Sequence, residues 1–265
     1  MPRFAANLSL MFQEVAFLDR FRAASGVGFR GVEYLFPYDV PAAEIASRLR
    51  DSGLTQVLFN MPPGNWAGGE RGLAVLPGRR QEFADGVERA IDYAGALGCA
   101  QVHAMAGIPP AGVSPEAAEA AYLENVAQAA GRCRAAGIRL VIEPINTRDM
   151  PGYFLTTSSQ ARRLMTAVGS DNLFLQADLY HWQIMEGDLA ERIRANQDAI
   201  RHVQIAGNPG RHEPDVGEIH YPYLFALLDE LGYTGWIGCE YRPRGETTAG
   251  LGWARPYGIA SATNL

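Results

Sequence analysis

Short apolar runs alternate along the chain with longer stretches in which apolar residues recur at helical spacing. The short runs, several rich in Val, Ile, Phe or Leu, predict strands at about 3–9, 31–36, 55–60, 101–107, 139–145, 173–180, 201–207 and 236–241. Between them, Glu14 to Ser25 carries Phe17, Leu18 and Phe21 on one helical face. Arg80 to Leu97 does the same with Phe83, Val87, Ala90, Ile91 and Ala94. Pro115 to Ala136 is alanine-rich, the composition of a strong helix former. Gly98 and Gly137 stand where helix C-terminal caps are expected. From Thr247 to Leu265, glycine and proline interrupt the pattern, so no single clean helix is predicted there.

Eight strands with intervening helices imply repeated βα units and a parallel sheet. At 265 residues the chain fits one closed (β/α)8 TIM barrel in a single domain better than an open doubly wound sheet. Two strand-to-helix connections are long, Met61 to Arg79 and Asn208 to Gly217. In a barrel both stand on the C-terminal face, where active sites are built, as a lid and a substrate wall. The segment Gly26-Val27-Gly28-Phe29-Arg30-Gly31 matches a dinucleotide fingerprint in letters only. It ends a helix and leads into a strand, the reverse of the order that motif needs, so it reads as a turn.

Hydrophobic residues make up 48% of the chain and charged residues 20%, enough apolar material for a large core. The net charge of −6 argues against nucleic acid or an anionic membrane as partner, since both need a basic surface. No run reaches the roughly 20 apolar residues of a membrane span. The first residues lack the apolar run and small-residue cleavage site of a signal peptide, so a cytoplasmic protein is expected. Cys99, Cys133 and Cys239 are scattered and form no paired motif; they are expected to be buried thiols. All 23 basic residues are arginine. Without a lysine amine, Schiff-base chemistry, pyridoxal phosphate enzymes and Walker-type phosphate loops are excluded.

Candidate chemistry collects where four consecutive strands end. Glu143 follows Leu140-Val141-Ile142, Asp178 closes the run from Leu173, Gln204 lies in the seventh strand and Glu240 ends the eighth. A carboxylate set in an apolar strand costs several kcal/mol unless it is paired or metal-bound. Two arrangements meet that need. The acids can pair with Arg139, Arg201 and Arg242, which lie close in sequence. Alternatively, Glu143, Asp178, Gln204 and Glu240 can share a divalent cation, and such hard oxygen donors favour Mg²⁺ or Mn²⁺ over Zn²⁺. His103 and His181 are placed to face the same pocket and bind substrate. His202 precedes Gln204 by two residues, so it shares that side of the strand, but deeper, in a packed core role. His212 and His220 read as loop residues.

These stretches resemble the hydroxypyruvate isomerase family, within the sugar isomerase and epimerase TIM barrels related to xylose isomerase. The resemblance rests on Phe4-Ala5-Ala6-Asn7-Leu8-Ser9, on Gly31 through Tyr38, Gly69-Glu70-Arg71-Gly72 and Leu76-Pro77-Gly78-Arg79. It extends to Ile142-Glu143-Pro144-Ile145-Asn146, Gly217-Glu218-Ile219 and Gly235 through Tyr241. It implies that Glu143 and Glu240 are the acid/base pair, and that Glu143, Asp178, Gln204 and Glu240 hold the metal. The wider group usually has histidine where this chain has Gln204. Val102 through Gly107, Ala206 through Pro209 and His212 through Pro214 look instead like the 2-oxotetronate isomerases. Either way the implied substrate is a small 2-keto acid with a neighbouring hydroxyl, isomerised through an enediolate. Arg71, Arg211 and Arg242 are candidates for its carboxylate, and Trp66 for excluding water. Three other functions are compatible with this frame: a ketose 3-epimerase, a non-catalytic metabolite-binding barrel, and a metal-dependent endonuclease, which the charge and scattered histidines disfavour. A homo-oligomer is compatible with the sequence, which does not fix the oligomeric state.

Overall fold

Residues 1–259 are described by a computed structural model. Eight parallel strands are joined edge to edge: β1 (Arg3–Asn7), β2 (Gly31–Tyr34), β3 (Thr55–Phe59), β4 (Gln101–His103), β5 (Arg139–Ile142), β6 (Leu173–Asp178), β7 (Ile200–Ile205) and β8 (Trp236–Cys239). Their hydrogen-bonded order is β3-β2-β1-β8-β7-β6-β5-β4. The ring closes between β3 and β4 through a parallel bridge of Asn60 with His103, where the Met61 N–H donates to the His103 carbonyl at 2.8 Å. The expected barrel is therefore the observed one.

The helices form the outer ring: α1 (Phe17–Gly26), α2 (Ala42–Ser52), α3 (Arg80–Leu97), α4 (Pro115–Ala135), α5 (Ser158–Val168), α6 (Leu179–Met185), α7 (Leu189–Asn196) and α8 (Tyr221–Glu230). α3 buries Phe83, Val87, Ala90, Ala94 and Leu97, the stripe its spacing predicts, and ends at Gly98 in the left-handed region (φ 64°). α4 begins at Ser114, whose hydroxyl accepts from the Ala117 N–H, with Pro115 in the first turn. α1 begins at Phe17, not Glu14; the Glu14 carboxylate instead takes the Thr247 N–H and hydroxyl. The segment Gly26 to Gly31 is the turn between α1 and β2, as expected. The C-terminal segment is a 3-10 helix (Ala249–Tyr257); the end of the expected irregular tail, 260–265, lies outside the described residues. No described helix is long and apolar enough to cross a membrane.

Every strand stops one to four residues before its apolar run does. Ala104, Met105 and Ala106 explain the difference: they are buried although their backbone has left the sheet, because the long β3–α3 connection packs over them. Inside the barrel, Ala5, Val57, Leu58 and Val141 form a separate apolar layer backed by Phe174 and Trp236. Small residues make room for it. A Cβ on Gly31 would lie 2.7 Å from the Trp236 ring and 2.8 Å from Val57. This layer divides the barrel lumen into a C-terminal chamber, which is polar, and an N-terminal one.

Candidate active site

The C-terminal chamber gathers residues from all eight strand ends. Asn7 and Glu33 come from β1 and β2, Asn60 and His103 from the ends of β3 and β4, and Glu143 from just past β5. Gln176 and Asp178 come from β6, His202 and Gln204 from β7, and Glu240 from just past β8. All are buried. All but His103, Asp178 and His202 border a cavity of about 130 Å³, which is also walled by Trp66, Met105, His181, Arg211 and Arg242.

Glu143, Asp178 and Glu240 do converge. His103 Nδ1 lies 3.7 Å from Glu143 Oε2, and His181 Nε2 lies 3.8 Å from Glu143 Oε1 and 3.4 Å from Asp178 Oδ2. Arg211 Nη2 bridges Asp178 Oδ2 at 3.1 Å and Glu240 Oε2 at 3.0 Å. Its Nε also donates to the Glu240 carbonyl at 3.2 Å. The arginine that meets these acids is thus Arg211, from the β7–α8 loop. Arg139 and Arg201 stand at strand starts; four residues of strand put Arg139 about 13 Å from the level of Glu143.

Burial in so little space controls the protonation of the group. Loss of solvent, and then the fields of Glu240 and Asp178, push the Glu143 carboxyl well above its ordinary range, with Arg211 opposing. Loss of solvent also lifts Glu240 to about 8, against the pull of Arg211. Asp178 is raised by burial, less so because Arg211 and the backbone N–H groups of Tyr180 and His181 favour its charged form. Burial holds His103 down at about 3 and His181 well below its usual value, the latter helped by the Arg211 charge, so both rings are neutral. For Arg211, burial works against the charge, but Glu240, Asp178 and Glu143 outweigh it and hold the guanidinium ionised.

Asn146 decides what His181 offers. Its Oδ1 accepts from the Asp149 N–H at 2.8 Å, so its Nδ2 is the atom that meets His181 Nδ1 at 2.6 Å. The proton of His181 then sits on Nε2, facing the carboxylates and the cavity as a donor. His103 Nδ1 is 3.1 Å from Asn60 Oδ1, and its Nε2 has no partner.

Beneath the acids lies a second layer that sequence reasoning missed. Glu33 accepts from Gln204 Nε2 at 2.7 Å and Asn7 Nδ2 at 3.1 Å on one oxygen, and meets His202 Nε2 at 2.6 Å on the other. Gln204 Oε1 accepts from Gln176 Nε2 at 2.6 Å. His202 is therefore buried as expected, but as a partner of a carboxylate rather than as packing. A Cβ on Gly238 would overlap both oxygens of Glu33, so glycine is what leaves this carboxylate its place. The available signal was alternation: Val32 and Tyr34 join the core outside the sheet, which turns Glu33 into the lumen.

The residues fit a divalent cation. Glu143 Oε1 is buried without a hydrogen-bond partner. Carboxylate oxygens of Glu143 and Asp178 lie within 4.8 Å of each other. Glu240 adjoins them through Arg211, and Gln204 Oε1 keeps a lone pair beyond its bond to Gln176. Among the other expected substrate contacts, Arg242 and Trp66 line the cavity. Arg71 does not line it; its guanidinium lies 4.1 Å over the Trp66 ring and donates to the Trp66 and Glu70 carbonyls, bracing the wall.

Comparison with known proteins agrees with this architecture. A family model described as xylose isomerase-like TIM barrel matches residues 21–257. A 2-oxo-tetronate isomerase of Cupriavidus necator is 57% identical over 257 residues, covering 97% of this chain and 99% of that protein. A hydroxypyruvate isomerase of Escherichia coli is 49% identical, covering 97% and 100%. A solved structure described as an AP endonuclease, family 2, from Brucella melitensis superposes with a TM-score of 0.95 at 55% identity, covering 97% of this chain and 99% of that one. The chain belongs to the xylose isomerase-like TIM barrel family, alongside the hydroxypyruvate and 2-oxo-tetronate isomerases, and it is an isomerase.

Proposed function

We propose that this chain isomerises short 2-keto acids carrying a neighbouring hydroxyl, with hydroxypyruvate and tartronate semialdehyde as the first pair to test and 2-oxotetronate as the second. The observation that carries this reading is the pair of glutamates, Glu143 and Glu240, both lining one cavity of about 130 Å³ and both raised above the ordinary carboxylate range by burial. That space is small beside the roughly 300–1,000 Å³ of most small-molecule sites, which favours a three- or four-carbon acid over a ketohexose. It therefore supports a keto acid over a ketose 3-epimerase.

In the forward direction one glutamate takes the proton from C3 of hydroxypyruvate, and the other delivers a proton to C2. The hydroxyl proton passes from O3 to O2, so composition and oxidation level of the molecule as a whole are unchanged. General acid–base transfer of this kind contributes about 10²–10⁴-fold, and is most effective when the pKa lies near working pH. Burial lifts the Glu240 carboxyl to about 8, and burial with the fields of Glu240 and Asp178 raises Glu143 well above its ordinary range. The His181 Nε2–H is aimed at the oxygens where charge develops, and its neutrality lets it donate without giving up a full proton. Arg211, ionised and bound to Glu240 and Asp178, fixes their orientation and offers remaining N–H groups to the substrate carboxylate; Arg242 is the second candidate for that contact. Trp66, held by Arg71, closes the cavity against water. Glu143, Asp178, Gln204 and Glu240 would hold Mg²⁺ or Mn²⁺, which when bound polarises the carbonyl and stabilises the enediolate charge.

A nuclease has less support. Its substrate would meet an acidic protein and an enclosed cavity where a phosphate backbone needs an open basic face. The test is a substrate panel with Mg²⁺- or Mn²⁺-loaded protein. Turnover of hydroxypyruvate or 2-oxotetronate, and none of D-fructose, is expected. Turnover of D-fructose alone would favour the epimerase, and no turnover of any of them would favour a binding protein.

A further inference from the structure

A cavity of about 750 Å³ lies at the other end of the barrel. It is lined by residues where strands begin: Arg3 of β1, Thr55 and Gln56 of β3, Gln101 of β4, Arg139 of β5, Arg201 of β7 and Trp236 of β8. The apolar layer of Ala5, Val57, Leu58 and Val141 separates it from the acidic chamber. It is thus no extension of the site described above.

Two features mark it as more than a gap. Gln56 and Gln101 are each 3% exposed, and the side-chain oxygen of each has no hydrogen-bond partner. An unmet buried acceptor costs about 1–3 kcal/mol, so a pair of them bordering one cavity calls for a donor from outside the chain. In addition, Arg3 and Arg139 form no ion pair with any described residue, and Arg201 donates only to the Asp198 and Ile200 carbonyls. The Arg3 guanidinium lies over the Trp236 ring, 4.1 Å from its centroid, and that of Arg201 over Phe174 at 4.6 Å. Coverage of aromatic rings accounts for these two arginines but not for Arg139, nor for the glutamine oxygens.

We infer that the N-terminal end of the barrel is a second ligand site, for a small hydroxylated anion such as a sugar phosphate or an aldonic acid. The guanidinium groups of Arg3, Arg139 and Arg201 supply forked donors for a phosphate or carboxylate. The oxygens of Gln56 and Gln101 accept from its hydroxyls, and Trp236 forms an apolar wall. The volume lies within the usual range for small-molecule sites, about 300–1,000 Å³.

Titration calorimetry and the Trp236 indole N–H resonance test this, with D-ribose 5-phosphate and D-gluconate as probes and inorganic phosphate and D-ribose as controls. One of the two hydroxylated anions, or both, is expected to bind at one site, to move the Trp236 resonance, and to bind about tenfold or more tightly than either control. Which of the two is stronger reports whether the anion is phosphate or carboxylate. Arg139→Ala and Gln101→Leu should each weaken binding about tenfold, the loss of one charge-assisted or buried hydrogen bond, while isomerase turnover is unchanged. Arg139 is exposed, so its replacement leaves the fold intact. No binding of either anion at millimolar concentration, binding that leaves the Trp236 resonance still, or affinity unchanged in both variants would overturn the inference.

Discussion

Glu33 offers the sharpest test of how the acidic chamber is built. Replacing it by alanine removes the acceptor for Asn7 Nδ2, His202 Nε2 and Gln204 Nε2, all buried. Each stranded donor costs about 1–3 kcal/mol, and water entering the vacated space recovers part, so Glu33→Ala should lose roughly 3–5 kcal/mol. For a domain of this size each kcal/mol lowers Tm by about 2–4 °C, so calorimetry should show a fall of roughly 6–20 °C. Glu33→Gln separates charge from shape. Its oxygen still serves Asn7 and Gln204, and His202 can turn its other tautomer to the new amide, so the stability loss should be nearer 1 kcal/mol. The charge is nevertheless gone, and the negative field of Glu33 is one of the influences raising Glu143, Asp178 and Glu240. With it removed these carboxyls ionise at lower pH, so the acidic limb of kcat/KM should move to lower pH. Glu33→Ala within about 1 kcal/mol of the parent protein, or an unmoved pH profile in Glu33→Gln, would refute the reasoning.

Further outcomes follow from the same geometry. Glu143→Gln and Glu240→Gln should each lower kcat by about 10²-fold or more while the circular dichroism stays that of the parent protein and Tm does not fall, since neither changes the shape of the chamber. Arg211→Met leaves Asp178 and Glu240 without their cation; in metal-free buffer it should unfold at lower temperature, and added Mn²⁺ should restore most of the loss, as calorimetry with and without the metal would show. The contribution of Glu240 to the stability of the metal-free protein should fall as pH rises between about 4.5 and 8. The Glu240 carboxyl is raised from 4.5 to about 8 on folding, so across that window the folded state holds the extra proton and loses ground as it is removed; denaturant titrations at several pH values should show a flatter slope for Glu240→Gln. Gly31→Ala should lose about 1–3 kcal/mol in the same titrations, because its methyl group meets the Trp236 ring and Val57.

The barrel and its acidic end were legible because strand and helix periods differ, and because a carboxylate interrupting an apolar strand is conspicuous. Glu143, Asp178 and Glu240 announced themselves that way. Glu33, Asn7, Asn60, Gln176 and Asn146 did not. A polar residue alternating with apolar ones reads as the solvent face of a strand, and only closure of the barrel turns that face inward. The partner of the acids was hidden for a different reason. Arg139 and Arg201 are close to them along the chain but at the wrong end of a strand, whereas Arg211 reaches Asp178 and Glu240 from a loop that folds back over the barrel mouth. Arg71 and Trp66 were both legible as loop residues near the site; that one lines the cavity and the other braces it depends on stacking that spacing does not encode.

Proton transfer by Glu143 and Glu240 between adjacent carbons is tested most directly by NMR in D₂O, with hydroxypyruvate and 2-oxotetronate supplied to the metal-loaded protein. Deuterium should enter at the carbon that receives the proton, at a rate that collapses in Glu143→Gln and Glu240→Gln alike. Undiminished exchange in either variant, or product without solvent deuterium in which the label of a C3-deuterated substrate has moved intact to C2, would contradict it.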